Sequence, residues 1–222
     1  MMTLTYPLLS APISFAENEI PVLIIENPME LRIFLYDLKR QISGQEGMSV
    51  LAENFEPIEI ANSLILLADI FSIDFDTRKL INRIYEEVNL AAFNYADTLR
   101  NSMNSLNQIA LQIATEMDFD VSFIELTDPT PILKLFNFSV DDSNLSCVER
   151  LTLYIKLQQR FLKKKLVAVY NLKACLSSHE LDLFYQTILY EKLHILLVED
   201  IQRNHPLPIE HTFIIDRDLC IF

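Results

Sequence analysis

Glycine is nearly absent from this chain. Only Gly44 and Gly47 occur in 222 residues, whereas a loop that wraps phosphates with backbone amides needs several, for positive φ and close approach. A glycine-rich phosphate loop is thereby excluded. The three cysteines, Cys147, Cys175 and Cys220, have no paired spacing, so neither a disulfide framework nor a cysteine zinc site is expected, and buried reduced thiols are. No Gly-x-Ser-x-Gly elbow or His-Glu-x-x-His helix is present. His179, His194, His205 and His211 lie far apart without metal-ligand spacing, and His194, at the head of an apolar run, reads as structural. No apolar run approaches the roughly 18 residues that span a bilayer. The N-terminus, Met1-Met2-Thr3-Leu4-Thr5-Tyr6-Pro7, has neither the basic nor the apolar part of a signal peptide. A cytoplasmic protein without a membrane partner is expected.

Acids are abundant overall but missing from one window. The chain holds 31 acidic and 18 basic residues, a net charge of −13. Between Glu149 and Glu180 there is no Asp or Glu, yet Arg150, Lys156, Arg160, Lys163, Lys164, Lys165 and Lys173 fall there. A protein this acidic repels polyanions, so the window marks a local exception suited to a phosphate backbone.

Half the residues are apolar, with 14 Phe and 8 Tyr, enough for a sizeable core. The length suits one large domain, or one domain with an insertion. Pro21–Ile25 reads as a strand, followed at Asn27-Pro28-Met29-Glu30 by an N-cap, a proline at the first helical position and an acid in the first turn; this helix extends to about Gln41. Lys165–Tyr170 is a second buried strand. The capping box Ser177-Ser178-His179-Glu180 then opens a helix to about Lys192. Leu193–Val198 and Thr212–Ile215 are further strands, as are Met48–Leu51 and Leu64–Leu67. Buried strands alternating with helices predict an α/β fold with a mostly parallel sheet.

The middle of the chain differs. From Thr77 to about Met117 it has no Pro or Gly, and Leu99, Met103, Leu106, Ala110, Ile113 and Met117 step by alternating fours and threes. That seam predicts a long helix packed on one partner helix, or a projecting limb. Asp128-Pro129-Thr130-Pro131 breaks it, and Ile132–Phe136 forms a short helix. The expected organisation is an α/β head from residues 1–75 and 138–222, with a helical leg inserted at 76–137.

Helical geometry turns the basic window into a stripe. Ser146-Cys147-Val148-Glu149 is another capping box, so a helix runs from Cys147 to about Lys163. Val148, Leu151, Tyr154, Ile155, Phe161 and Leu162 fall on one face, and Lys156, Arg160, Lys163 and Lys164 on the opposite one. Two accounts stay open. Cations near a helix C-terminus complement its macrodipole; alternatively, the stripe is a salt-sensitive phosphate footprint that reads no bases. One stripe on so acidic a monomer would bind poorly, whereas symmetric assembly would repeat it around a channel. The acids Glu116, Asp118, Asp120, Glu125 and Asp128 also leave two readings, a solvated surface or a hard-cation site. The first strand–helix junction, Glu26-Asn27-Pro28-Met29-Glu30-Leu31, has no glycine and no phosphate lysine. On an NTPase-like fold it would be catalytically empty.

Several segments together resemble the accessory spacer-acquisition protein family of type II-A CRISPR systems. They are Tyr6–Ile13, the strand into Glu26, Leu67–Asp74, Lys163-Lys164-Lys165 leading into Leu166–Asn171, and Ile214–Asp218, in matching order. The resemblance implies a degenerate NTPase-like α/β head without a phosphate loop or nucleotide cofactor, with an inserted helical leg. It implies a non-enzymatic homotetrameric ring that binds double-stranded DNA, preferentially at free ends, and assists CRISPR adaptation with integrase proteins and the RNA-guided nuclease. Lys163, Lys164 and Lys165 match the family's DNA-binding positions; helix geometry extends that role to Lys156 and Arg160. Calcium near the head–leg junction is also implied, with Asp118, Asp120 and Glu125 the expected ligands here. The alternatives are a protein-binding adaptor without DNA contact and a nucleotide-dependent phosphotransferase.

Overall fold

Three short strands open the chain in a computed structural model that describes residues 1–203 and 207–220: β1 (Met2–Thr5), β2 (Ile13–Phe15) and β3 (Ile20–Ile25). They are followed by α1 (Pro28–Ile42), β4 (Val50–Glu53), β5 (Glu56–Ile58), α2 (Ile60–Ser63) and β6 (Leu64–Leu67). Next come α3 (Arg78–Ala92), α4 (Ala96–Glu116), α5 (Thr130–Leu135) and α6 (Cys147–Leu162). The chain continues through β7 (Leu166–Tyr170), α7 (Leu172–Cys175), α8 (Ser178–Tyr190), β8 (Ile195–Glu199) and β9 (Glu210–Ile215). It divides into two compact units, Met1–Asp74 with Asp142–Phe222, and Phe75–Asp141.

The first unit contains the predicted parallel sheet, in the order β6-β7-β8-β3-β9 with every neighbour parallel. All six residues of β3 are buried. Alternation along the strands gives the sheet two apolar faces. Leu23, Ile25, Ala168 and Val198 pack in one cluster with Leu31, Phe34 and Leu38 of α1. Val22, Ile24, Val169 and Leu197 are equally buried and point the other way. There α8 supplies Leu181, Phe184, Tyr185 and Ile188, and α6 supplies Leu151 and Ile155. Pro21 is tolerated inside a central strand because the β3–β8 ladder starts only at Val22, so no bond on that side needs its missing N–H.

A second sheet, antiparallel and ordered β2-β1-β4-β5, escapes the sequence reading. The run Met48–Leu51 overlaps β4, which pairs with β1 and β5 and does not join the parallel sheet. The β4–β5 hairpin turns at Asn54 and Phe55, with φ of 51° and 68°. Two positive φ values suit a tight hairpin, and in a chain so poor in glycine they fall on an Asn and a Phe.

In the second unit the stretch from Thr77 to Met117 forms two helices with a 3₁₀ turn at Phe93–Tyr95 between α3 and α4, and α4 is the long helix of the seam. The apolar seam lies on α4, but only its Met103 is buried; Leu106, Ile113 and Met117 are exposed. The cysteines also depart from expectation. All three are free thiols, Cys175 and Cys220 exposed and Cys147 half-buried.

Asp37 of α1 ties the antiparallel sheet to the main core. Its buried carboxylate accepts from Met48 N (2.7 Å), Ser49 N (2.9 Å), Ser49 Oγ (2.7 Å) and Gln41 Nε2 (2.8 Å). Gly47 is required by this close approach, since a Cβ there would sit 2.3 Å from Gln41 Nε2 and 2.4 Å from Asp37 Oδ1. Burial opposes ionisation of Asp37, but the donated hydrogen bonds outweigh it and hold the carboxyl below its usual range. Its contribution to stability is therefore present above the unfolded carboxylate pKa and lost as pH falls through the lower folded value. Asp37→Asn, which points an amide at these donors, should cost about 2–3 kcal/mol. The cost is read as a lower urea midpoint at unchanged slope.

Candidate nucleic-acid interface

The basic stripe is built by helix α6 and its two ends. At the start, Ser146 Oγ accepts from Glu149 N while Glu149 Oε2 accepts from Ser146 N and Oγ, a complete capping box. At the end, Lys163 takes the left-handed conformation, φ 55° and ψ 27°. The buried Gln158 offers its carbonyl to the backbone N–H of Lys163 and of Lys164, closing the helix in the manner of a C-terminal αL motif. Lys165 N then donates to Ser63 O at 2.7 Å and starts β7 beside β6. The triple lysine is thus a helix cap followed by a strand start.

Of the five cations, Arg160 and Lys163 are exposed and Lys156, Lys164 and Lys165 half-buried, and several are engaged within the chain. Lys156 Nζ pairs with Glu191 at 2.7 Å, and Lys165 Nζ pairs with Glu53 of β4. Lys164 Nζ donates to Ala61 O at 2.7 Å. The Arg160 guanidinium lies 5.1 Å from the centre of the Phe161 ring. Lys163 is exposed, and among the described residues its side chain has no hydrogen bond or ion pair. The other bases of the window are held as well, Arg150 by Asp142 at 2.7 Å and Lys173 by Glu210 at 2.6 Å. The window is free of acids in sequence only; Glu53, Asp142, Glu191 and Glu210 reach it through the fold. Lys165 in turn holds Glu53 below its usual carboxylate range by hydrogen bond and charge.

Asp118, Asp120 and Glu125 lie on the irregular segment between α4 and α5, all exposed. Asn107 pins that segment by bonding both backbone groups of Leu126, at 2.8 and 3.0 Å. Among the described residues no three His, Cys, Asp or Glu side chains form a metal-holding group. Calcium needs several oxygens converging at one centre, and the three carboxylates as placed do not fit it. His194 is half-buried, and burial lowers its pKa. His179 and His211 are exposed, the latter 4.6 Å from Phe213 in a stacked pair; His205 lies outside the described residues. No described helix is long and apolar enough to cross a membrane.

A cleft of about 690 Å³ opens at the carboxyl ends of the parallel strands, where open α/β sheets generally bind ligands. Here α1 begins on its own cap. Asn27 Oδ1 accepts from Met29 N and Glu30 N at 3.0 and 3.2 Å, and Pro28 has no N–H to offer. Asn27 Nδ2 donates to Arg217 O at 3.0 Å. The amides that would hold a phosphate at this helix start are therefore already used.

Sequence reading missed Glu199, at the end of the apolar run that forms β8. Its side chain is fully buried, with Oε1 accepting from Lys173 N at 3.0 Å and Oε2 lacking a hydrogen-bond partner. Arg203 Nε is 3.8 Å from Oε2. Burial pushes the carboxyl up to about 7, against the backbone hydrogen bond from Lys173 and the charges of Lys173 and Arg203. An acid directly after an apolar strand was the available signal.

Residues 41–219 match the family model described as CRISPR-associated protein (Cas_Csn2). No curated protein matches the chain. Among solved structures it is similar to a putative ABC transporter ATP-binding protein from Pyrococcus furiosus, at 8% identity and a TM-score of 0.38, over 95% of this chain and 94% of that one. It is also similar to the ATP-binding cassette of an ABC transporter in its ADP conformation, at 12% identity and a TM-score of 0.44, over 96% of this chain and 86% of that one.

A carboxyl raised by burial binds its proton more tightly in the folded protein. Its effect on stability therefore grows more unfavourable as pH rises from about 4.5 to about 7, and is complete above that. The melting temperature of Glu199→Gln relative to the unaltered protein should rise between pH 5 and pH 8, by the equivalent of roughly 2–3 kcal/mol. Parallel pH profiles for the two proteins would refute the assignment.

Proposed function

Because the chain belongs to the Cas_Csn2 family of CRISPR-associated proteins, we propose that it is a non-enzymatic, sequence-independent binder of double-stranded DNA that acts in adaptation. It works in the cytoplasm as a homotetrameric ring, alongside the integrase proteins and the RNA-guided nuclease. The observation that carries this reading is the cationic outer face of α6, ending at the exposed Lys163, on a protein of net charge −13. Such a face contacts phosphates without reading bases. The self-capped start of α1 supports the absence of a nucleotide cofactor.

The ion pairs refine the mechanism. Lys156 and Lys165 are held in place by Glu191 and Glu53, which damps the field of one copy. A DNA phosphate would compete for these lysines, so binding gathers strength only when several copies present the face together. A salt-labile complex follows, weak for one copy and firm for the ring. The adaptor reading keeps one observation in its favour, the exposed apolar residues along α4, Leu106, Ile109 and Ile113.

Lys163→Glu is the cleanest test, because that side chain supports nothing else among the described residues, and it should weaken duplex binding several-fold in a gel-shift series. The triple change of Lys163, Lys164 and Lys165 to Glu should abolish binding with the assembly intact. Unchanged affinity in both variants would sink the proposal, and affinity should also drop steeply with salt. Neutralising the restraining acids tests the ion-pair account: Glu53→Gln with Glu191→Gln should tighten binding and leave the salt slope steep or steeper. Weaker binding in that double variant would show that the two acids position the lysines instead of competing for them.

A further inference from the structure

Two sets of charges have no partner among the described residues, and they are complementary. The first surrounds the cleft at the carboxyl edge of the parallel sheet. Helix α1 presents Arg32, Tyr36 and Lys39 to it at i, i+4 and i+7, above Leu31 and Leu35, and Arg217 enters from beyond β9. Among the described residues, the side chains of Arg32, Lys39 and Arg217 make no hydrogen bond or ion pair. Most other cations of the first unit are engaged. Glu26 and Asp200 also line the cleft, Asp200 being paired with Arg203 at 2.7 Å, so the cleft combines an apolar floor with a rim in which unpaired cations outnumber the acids, while its helix start has no amides left for a phosphate. Those properties suit an acidic peptide that carries apolar side chains.

The second set is the segment between α4 and α5. Glu116, Asp118, Asp120 and Glu125 alternate there with Met117, Phe119, Val121 and Ile124. The four acids make no hydrogen bond or ion pair among the described residues, and Phe119 and Ile124 are 70% and 94% exposed. Large apolar side chains this exposed beside unpaired acids indicate a surface whose cover lies outside the chain.

We propose that the cleft of one copy receives the acidic–apolar segment 116–125 of a second copy. This rests on the reading that the chain assembles and names a contact through which it does so. Phe119 stands exposed between the exposed Asp118 and Asp120. Phe119 can then enter the apolar floor while Asp118 and Asp120 remain at the rim to meet Arg32 and Arg217. A volume of about 690 Å³ is of the size that seats a small group of large side chains. Cleft and segment are different surfaces, so the contact forms twice about a two-fold axis or head to tail around a ring. It also gives Asp118 and Asp120 a cationic partner in place of a metal ion.

The test is sedimentation of the full chain over a range of concentrations in the presence of EDTA, which removes divalent cations as an explanation. Arg32→Glu with Arg217→Glu should raise the dissociation constant of assembly at least tenfold, and so should Asp118→Lys with Asp120→Lys. An equimolar mixture of the two charge-reversed proteins should recover mixed assemblies. The altered residues are exposed, and circular dichroism checks that each variant is folded. Variants that assemble as tightly as the unaltered chain overturn this contact and leave the ring standing, as does a mixture no tighter than its components. An unaltered chain that stays monomeric throughout overturns both.

Discussion

Burial of β3 on both faces is the constraint from which the larger unit follows. A strand with no exposed side chain must lie inside its sheet, between β8 and β9, and must be covered by helices on two sides. Helix α1 then has to leave the carboxyl end of β3 and return across one face, which sets Asn27 and Pro28 at the sheet edge. Arg217 reaches the same edge because β9 runs parallel to β3 in register from Ile20–Glu210 to Ile25–Ile215. The cleft and the cations around it are consequences of this placement.

Charge in this molecule is organised in space more than in sequence. The longest acid-free interval is crossed by carboxylates from four other segments, Glu53, Asp142, Glu191 and Glu210. Partly exposed pairs such as Lys156–Glu191 are worth little as stabilisers, and their main effect is to set the local potential. The Lys173–Glu210 pair differs, being almost fully buried and braced by Tyr185 OH at 2.8 Å from Glu210. Removing one partner there would strand a charge in the interior.

The parallel sheet was legible because runs such as Leu166–Tyr170 and Ile195–Val198 are apolar at every position, and the capping boxes at Ser146 and Ser177 were legible because four residues suffice to define them. The antiparallel sheet was not. Its strands β1 and β2 hold four and three residues with alternating burial, too short for a period to emerge, and β1 finds its partner β4 some fifty residues away. The basic face of α6 followed from helical angles alone, whereas its ion pairs depend on Glu53 and Glu191, whose arrival no local pattern announces. For the same reason Asp118, Asp120 and Glu125 could be noticed as a cluster in sequence although they do not converge. Glycine scarcity proved informative twice, in excluding a phosphate loop and in forcing positive φ onto other residues.

That second effect bears on Lys163. The left-handed position that ends α6 is one that glycine occupies without strain and a β-carbon strains by roughly 1 kcal/mol. Retaining lysine there sets a local conflict between backbone comfort and surface charge. Selection or engineering for thermal robustness alone would drift toward glycine at this position and erase an exposed cation of the face. The site is thus one where a more stable protein would be a less cationic one.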